Sequence, residues 1–214
     1  MNCEILLNIG IALGWFGLHY YYNINYLNDN KLAGRVVSYN HATLSVIFSG
    51  IALYNPTIKN IDTVYYNSVG YFIYESGYQL LKKNTLLRNA FILHHIAAIY
   101  TLTKLYVPEY NTLILLSLLN MELSNIPSYF VYFIRKRHPN FKYRSYFELG
   151  QAVIYSGLRL ITGTYLIKRG IELSEDKFLT LLCGSVYLMG VVWSRKLWMA
   201  LLNKKSRKNF QCEQ

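Results

Sequence analysis

The sequence predicts an all-α integral membrane protein with seven transmembrane helices. Two observations carry that prediction. Of the 214 residues, 53% are hydrophobic, and they gather into runs of the ~20 residues that a hydrocarbon core of about 30 Å requires. The chain also has a net charge of +11, and its basic residues sit at the ends of those runs. A soluble protein with this charge would point to nucleic acid, whereas here the pattern is that of membrane topology, and no nucleic-acid partner is expected. The 21 tyrosines fit the same picture, because amphipathic rings favour the headgroup level.

The spans in order are 3–22, 36–54, 64–81, 87–104, 111–134, 147–167 and 178–194. The first begins with Glu4 inside an apolar run and no basic leader, so it reads as a retained helix. Its Gly10-x-x-x-Gly14 spacing would permit close helix packing. The third is the most polar, diluted by Asn67, Ser68, Glu75 and Ser76. The fifth is interrupted by Asn120, Glu122, Ser124, Asn125 and Pro127. Pro127 removes a backbone hydrogen bond, and Ser124 or Asn125 is expected to satisfy the freed carbonyl. The tail after the seventh span is basic and polar and is expected at the membrane surface.

Charge tests this count independently. With seven spans, sixteen of the 22 Lys and Arg residues fall on one side, five on the other, and Arg159 stays within the sixth span. Removing the third span would put basic loops on both sides. The positive-inside rule then places the amino terminus outside or in a lumen and the carboxyl terminus in the cytosol. The organisation read from this is a first helix and loop over 1–34, a membrane domain over 35–197, and a basic cytosolic tail over 198–214.

A charge at mid-bilayer costs about 2.5–3.5 kcal/mol on insertion scales, so ionisable residues kept there mark function. Here they are His41, Glu75, His94, His95, Glu122 and Arg159. At ~1.5 Å per residue, the first four lie roughly 8–12 Å from the cytosolic ends of their spans, and the last two lie near the midplane. They are expected to line one interior cavity, entered from the cytosolic side. A structural Glu–Arg ion pair is the plainer reading of Glu75 or Glu122 with Arg159. His19 and His138 read as interfacial. Adjacent His94 and His95 point ~100° apart on a helix, which suits two walls of a cavity better than chelation of one metal. Cys3, Cys183 and Cys212 have no metal-type spacing. No metal or bound cofactor is therefore expected.

The set suits acyl transfer. A neutral imidazole can act as nucleophile or general base, a carboxylate can orient it, and an Arg can hold a phosphate or a developing oxyanion. The cytosolic donor of such a reaction would be acyl-CoA, whose phosphates the basic loops 82–88 and 135–144 would attract.

These residues occur in an order that resembles the TLC-domain proteins, eukaryotic endomembrane proteins that include the ceramide synthases. The resemblance runs from about residue 35 to 195. It is carried by Arg35-x-x-Ser38-x-x-His41-Ala42, Gly70-Tyr71-x-x-x-Glu75, His94-His95-Ile96, Glu122-x-Ser124 before a helix ending in Arg135, and Arg159. It implies a helical barrel of spans two to seven around a lipid-sized cavity, with the first span outside, in the endoplasmic reticulum or another endomembrane. It also implies that His94 and His95 take part in transfer from acyl-CoA to a long-chain amine. The chain departs from the ceramide synthases at 121–125, where Met-Glu-Leu-Ser-Asn stands in place of their His-Asp-x-x-Asp. In this it is closer to the minimal TLC-domain proteins.

Two functions follow as expectations. In the first, the chain is an acyltransferase with His94, His95 and Glu122 catalytic, and with His41, Glu75, Asn125 and Arg159 binding substrate. In the second, the same cavity binds or regulates membrane lipids without turnover.

Overall fold

A computed structural model describes the backbone of residues 2–83, 85–173 and 176–212. The side chains of Cys3, Cys212 and the basic tail from residue 204 onward lie outside the described residues.

Local chemistry sets where each helix begins. Helix α1 spans Asn2–Tyr22 and winds down through a π-helical turn, Asn23–Leu27. Asn28 ends that turn in the left-handed region (φ 44°), a conformation that Asn tolerates better than most residues. Asp29 then caps α2 (Asn30–Tyr54), accepting from the Leu32 amide at 2.9 Å. Thr57 caps α3 (Ile58–Leu80) and Thr85 caps α4 (Leu86–Thr103) in the same way. Helix α5 (Pro108–Arg137) starts on a proline, whose missing N–H costs nothing there. Helix α6 (Arg144–Ser156) passes through a π-helical stretch, Gly157–Thr162, directly into α7 (Gly163–Leu173). Asp176 caps α8 (Lys177–Cys212) through the Phe178 and Leu179 amides, each at 3.0 Å. Because α6 and α7 are one continuous rod, the described residues form seven helical rods and no strand.

The rods match the seven apolar runs, with longer ends. Helix α2 starts at Asn30 rather than 36 because the Asp29 cap sets its start, and Lys31 and Arg35 then ride on its first turns. Helix α8 continues past the seventh span through the basic tail to Cys212.

Polarity is turned inside out. Leu6, Leu13, Leu93, Ile161, Leu181 and Leu188 point outward from their helices, while Ser45, Ser49, Ser68, His41, Glu122 and Arg159 are buried. So many exposed large apolar side chains are uncommon on a soluble monomer. Two helical stretches, Asn30–Tyr54 and Lys177–Asn203, are long and apolar enough by composition alone to cross a membrane. Among the described residues no other helix meets the same test.

The packing runs in a closed circuit. Helix α2 packs on α3, α3 on α4, α4 on α8, α8 on α6 and α7, those on α5, and α5 back on α2 through the most extensive contact of the fold. Helix α1 sits against α3 and α2. Trp15 of α1 meets the rings of His41 and Tyr71 edge-on, at 6.0 and 5.6 Å. The close approach of α1 depends on Gly70, where a Cβ would fall 2.5 Å from Ile11. The spacing expected to do this, Gly10-x-x-x-Gly14, meets nothing within 4 Å. Glycines spaced for packing had no helix to pack on, and a single glycine on the partner helix supplies the approach instead.

Candidate functional site

Inside the circuit lies a partly open cavity. Its walls are apolar, from Leu113, Leu118, Leu166, Ile167, Leu179 and Val186 among others. Polar groups gather where it meets His94, Asn120 and Arg159. From that level it extends along α4, α5, α7 and α8 towards the loops near 103–108 and 173–177. This corrects the expectation of a cavity on the side of the basic loops.

Arg159 projects from the middle of the π-helical stretch, the kind of local irregularity that recurs at functional sites. Its Nε donates to Ser124 Oγ at 2.8 Å. Its Nη2 donates to Asn125 Oδ1 at 3.1 Å and to the Met121 carbonyl at 3.3 Å. Among the described residues no carboxylate lies within ion-pair distance of it. In place of a direct Glu–Arg ion pair, the plainer reading of these residues, there is a relay: Asn125 accepts from Arg159 and donates to Glu122 Oε2 at 3.2 Å. Ser124 donates to the Met121 carbonyl at 2.6 Å, so neither Ser124 nor Asn125 serves the carbonyl freed by Pro127. Asn120 Nδ2 donates to the Leu158 carbonyl at 3.0 Å, tying α5 to the π-helical stretch.

The two adjacent histidines have different surroundings. Their ring centres are 5.6 Å apart and the planes are tilted 48°. His94 lines the cavity, and its buried Nδ1 has no hydrogen-bond partner. His95 turns into the wall, with Nδ1 3.3 Å from Ser76 Oγ and its ring stacked 5.2 Å from Phe72. Phe72 also lines the cavity, so His95 is screened from it by that ring.

Glu75 and His41 belong to the same wall. Glu75 Oε2 accepts from the Tyr71 hydroxyl, and Oε1 accepts from Gln79 at 3.1 Å. Lys82 donates to Gln79 Oε1 at 3.1 Å, so a polar chain links Glu75 to the end of α3. His41 stacks on Tyr71 at 3.7 Å and faces Ser45 Oγ at 3.0 Å. It is 1% exposed and acts as a packed aromatic of the core. His19, expected at the interface, is buried as well, between the Asn30 carbonyl at 3.0 Å and the Tyr74 hydroxyl at 2.8 Å.

Of the residues singled out in the sequence, the structure gathers His94 and Arg159 at the cavity, with Glu122 and Asn125 behind Arg159. It places His41, Glu75 and His95 together in the wall between α2, α3 and α4. Asn120 was missed as a lining group. It is neutral, and only the tertiary fold leaves its buried Oδ1 unpartnered beside the cavity. Glu148 was missed too: it is buried and held by Arg135 Nε at 2.8 Å and Arg144 Nε at 3.5 Å. Position within a span could have found it.

A family model for the TLC domain matches residues 31–202. Among curated proteins and solved structures, none matches the chain at a significant level.

Proposed function

Because the chain belongs to the TLC domain family, a family of lipid-related membrane proteins, we propose that it holds a membrane lipid in its central cavity. The reading includes seven membrane-crossing helices, with α2 to α8 closing a barrel, the amino terminus in the lumen and the basic loops in the cytosol. By resemblance the membrane is that of the endoplasmic reticulum or a related compartment.

One observation carries it: an apolar cavity is lined at one level by buried polar groups, two of which have an atom without a partner. The buried Nδ1 of His94 and Oδ1 of Asn120 make no hydrogen bond, and among the described residues the buried cation of Arg159 is held by neutral acceptors. Leaving such groups unmade costs about 1–3 kcal/mol each. A lipid head with an acceptor for Arg159 and a donor for Asn120 would recover that cost, while its chain fills the apolar part. Glu122 and Asn125 hold the arginine in place.

Acyl transfer is the second reading, and the unpartnered ring nitrogen of His94 favours it. In that case His94 acts as nucleophile or base with acyl-CoA as co-substrate, and His95, Glu122 and Glu75 position it. The extension of the cavity away from the basic loops, where acyl-CoA would dock, makes binding the better-supported function.

Native mass spectrometry of the purified chain, with and without palmitoyl-CoA, separates the two readings. The expected result is a co-purifying lipid that Arg159→Ala releases, with no acyl adduct. An adduct or acylated product that His94→Ala abolishes would make the protein an acyltransferase. A wild-type protein carrying no lipid and consuming no acyl-CoA would overturn both.

A further inference from the structure

A second apolar depression lies on the outside of the bundle, between α5 and α6. It is an open groove lined by Pro127, Phe130 and Val131 of α5 and by Tyr146, Phe147 and Gly150 of α6. The aromatic walls are exposed, Tyr146 by 71%. From Tyr146 to Ile154 the groove follows α6 for about 12 Å, close to the ~15 Å depth of one leaflet's hydrocarbon.

One end of the groove is basic. Arg135 stands one turn beyond Val131 on the same face of α5, and Arg144 one turn before Phe147 on α6. Arg135 donates to buried Glu148 through Nε at 2.8 Å, and among the described residues no hydrogen bond engages the terminal nitrogens of that half-exposed guanidinium. A carboxylate that fixes an arginine while leaving its fork free presents it to a phosphate. Lys142, exposed two residues before Arg144, adds a further charge to the same connection.

From this juxtaposition of a leaflet-deep apolar groove and an oriented guanidinium, we propose that the α5–α6 face binds one anionic phospholipid of the cytosolic leaflet. An acyl chain lies over Gly150 and the phosphate sits on Arg135 with Lys142. The inference rests on the membrane orientation proposed above, though not on the cavity's ligand. A second transmembrane helix fits the groove less well. Close helix packing uses a stripe of small residues, and here a single glycine is walled by three aromatic rings.

The test is native mass spectrometry of the full chain titrated with phosphatidylserine or phosphatidylcholine carrying identical palmitoyl and oleoyl chains. Wild type is expected to prefer phosphatidylserine, and Arg135→Gln or Lys142→Gln each to cut that preference by about fivefold. Gly150→Leu, at a position where an added Cβ meets nothing within 4 Å, fills the groove and should remove binding of both lipids while the protein stays folded. Arg144 still holds Glu148 in the Arg135 variant, and the lysine and glycine variants test the idea even if that one misfolds. Equal binding of the two lipids by wild type, or unchanged binding by Gly150→Leu, overturns the proposal. So does a wild-type dimer that Gly150→Leu dissolves, which would make the face a helix–helix contact. A lipid retained in the cavity alongside any of these results leaves the central-cavity reading intact, whereas its loss with this binding intact sinks only that reading.

Discussion

His94 and His95 are neighbours in sequence, yet one meets the cavity and the other a wall of Ser76 and Phe72. The ~100° turn per residue of a helix dictates that they separate; which one faces inward depends on how α4 is rotated in the circuit. The same scale holds the clearest pH dependence. Asp176, in the connection before α8, caps that helix, accepts from the Tyr100 hydroxyl at 3.0 Å and pairs with Lys104 at 3.4 Å. The amide bond from Leu179 first, then those from Tyr100 and Lys104, holds its carboxyl below the ordinary aspartate value. A depressed pKa in the folded state means that its stabilisation is present above the unfolded value of about 3.9 and is lost as pH falls through the lower folded value. Melting temperatures measured as the pH is lowered through that range should therefore drop for wild type. The Asp176→Asn variant keeps a capping side chain but cannot titrate, and it should show a smaller drop.

At the level of helices, two devices build the site. The π-helical stretch aims Arg159 at α5, and the polar face of α5 receives it through Ser124, Asn125 and Met121. Both were visible in the sequence as polar residues inside apolar runs, but the π-helical geometry was not, because no residue in Gly157–Thr162 encodes it. Helix α1 stands apart from the cavity and meets the fold through Trp15, Ile11 and Gly70. Trp15→Ala removes its main contact with the His41–Tyr71 stack. Core Trp→Ala changes cost about 3–5 kcal/mol in water. In a bilayer the transfer contribution falls away because lipid is as apolar as the core, so a smaller loss is expected. Unfolding followed in mixed micelles should show that loss with the co-purified lipid unchanged. Loss of the lipid as well would place α1 among the determinants of the cavity.

Across the whole molecule, exposed apolar belts surround an interior that holds most of the buried charge, and the basic residues divide sixteen to five between the two ends. The orientation proposed above rests on that division and can be checked on the exposed residues Lys59 and Lys142. In a background without cysteines, an impermeant maleimide added to sealed microsomes should label Lys142→Cys. Lys59→Cys should be labelled only after detergent. Reversed labelling would invert the topology and place the basic loops in the lumen.

The number and type of helices, their approximate ends and their polar residues were determined by the sequence, because each is set by local chemistry: apolar run length, capping residues and charge at loop ends. The family was legible for a related reason, since its residues recur at fixed spacings along separate helices. Rotation and neighbourhood were not legible. The tertiary structure alone decided that the cavity extends away from the basic loops and that Asn125 stands between Arg159 and Glu122. It also decided that Asn120 lines the cavity with an unpartnered oxygen. These arise from side chains on different helices meeting across the bundle, and contacts of that kind depend on the packing angles of whole rods rather than on any one segment's sequence.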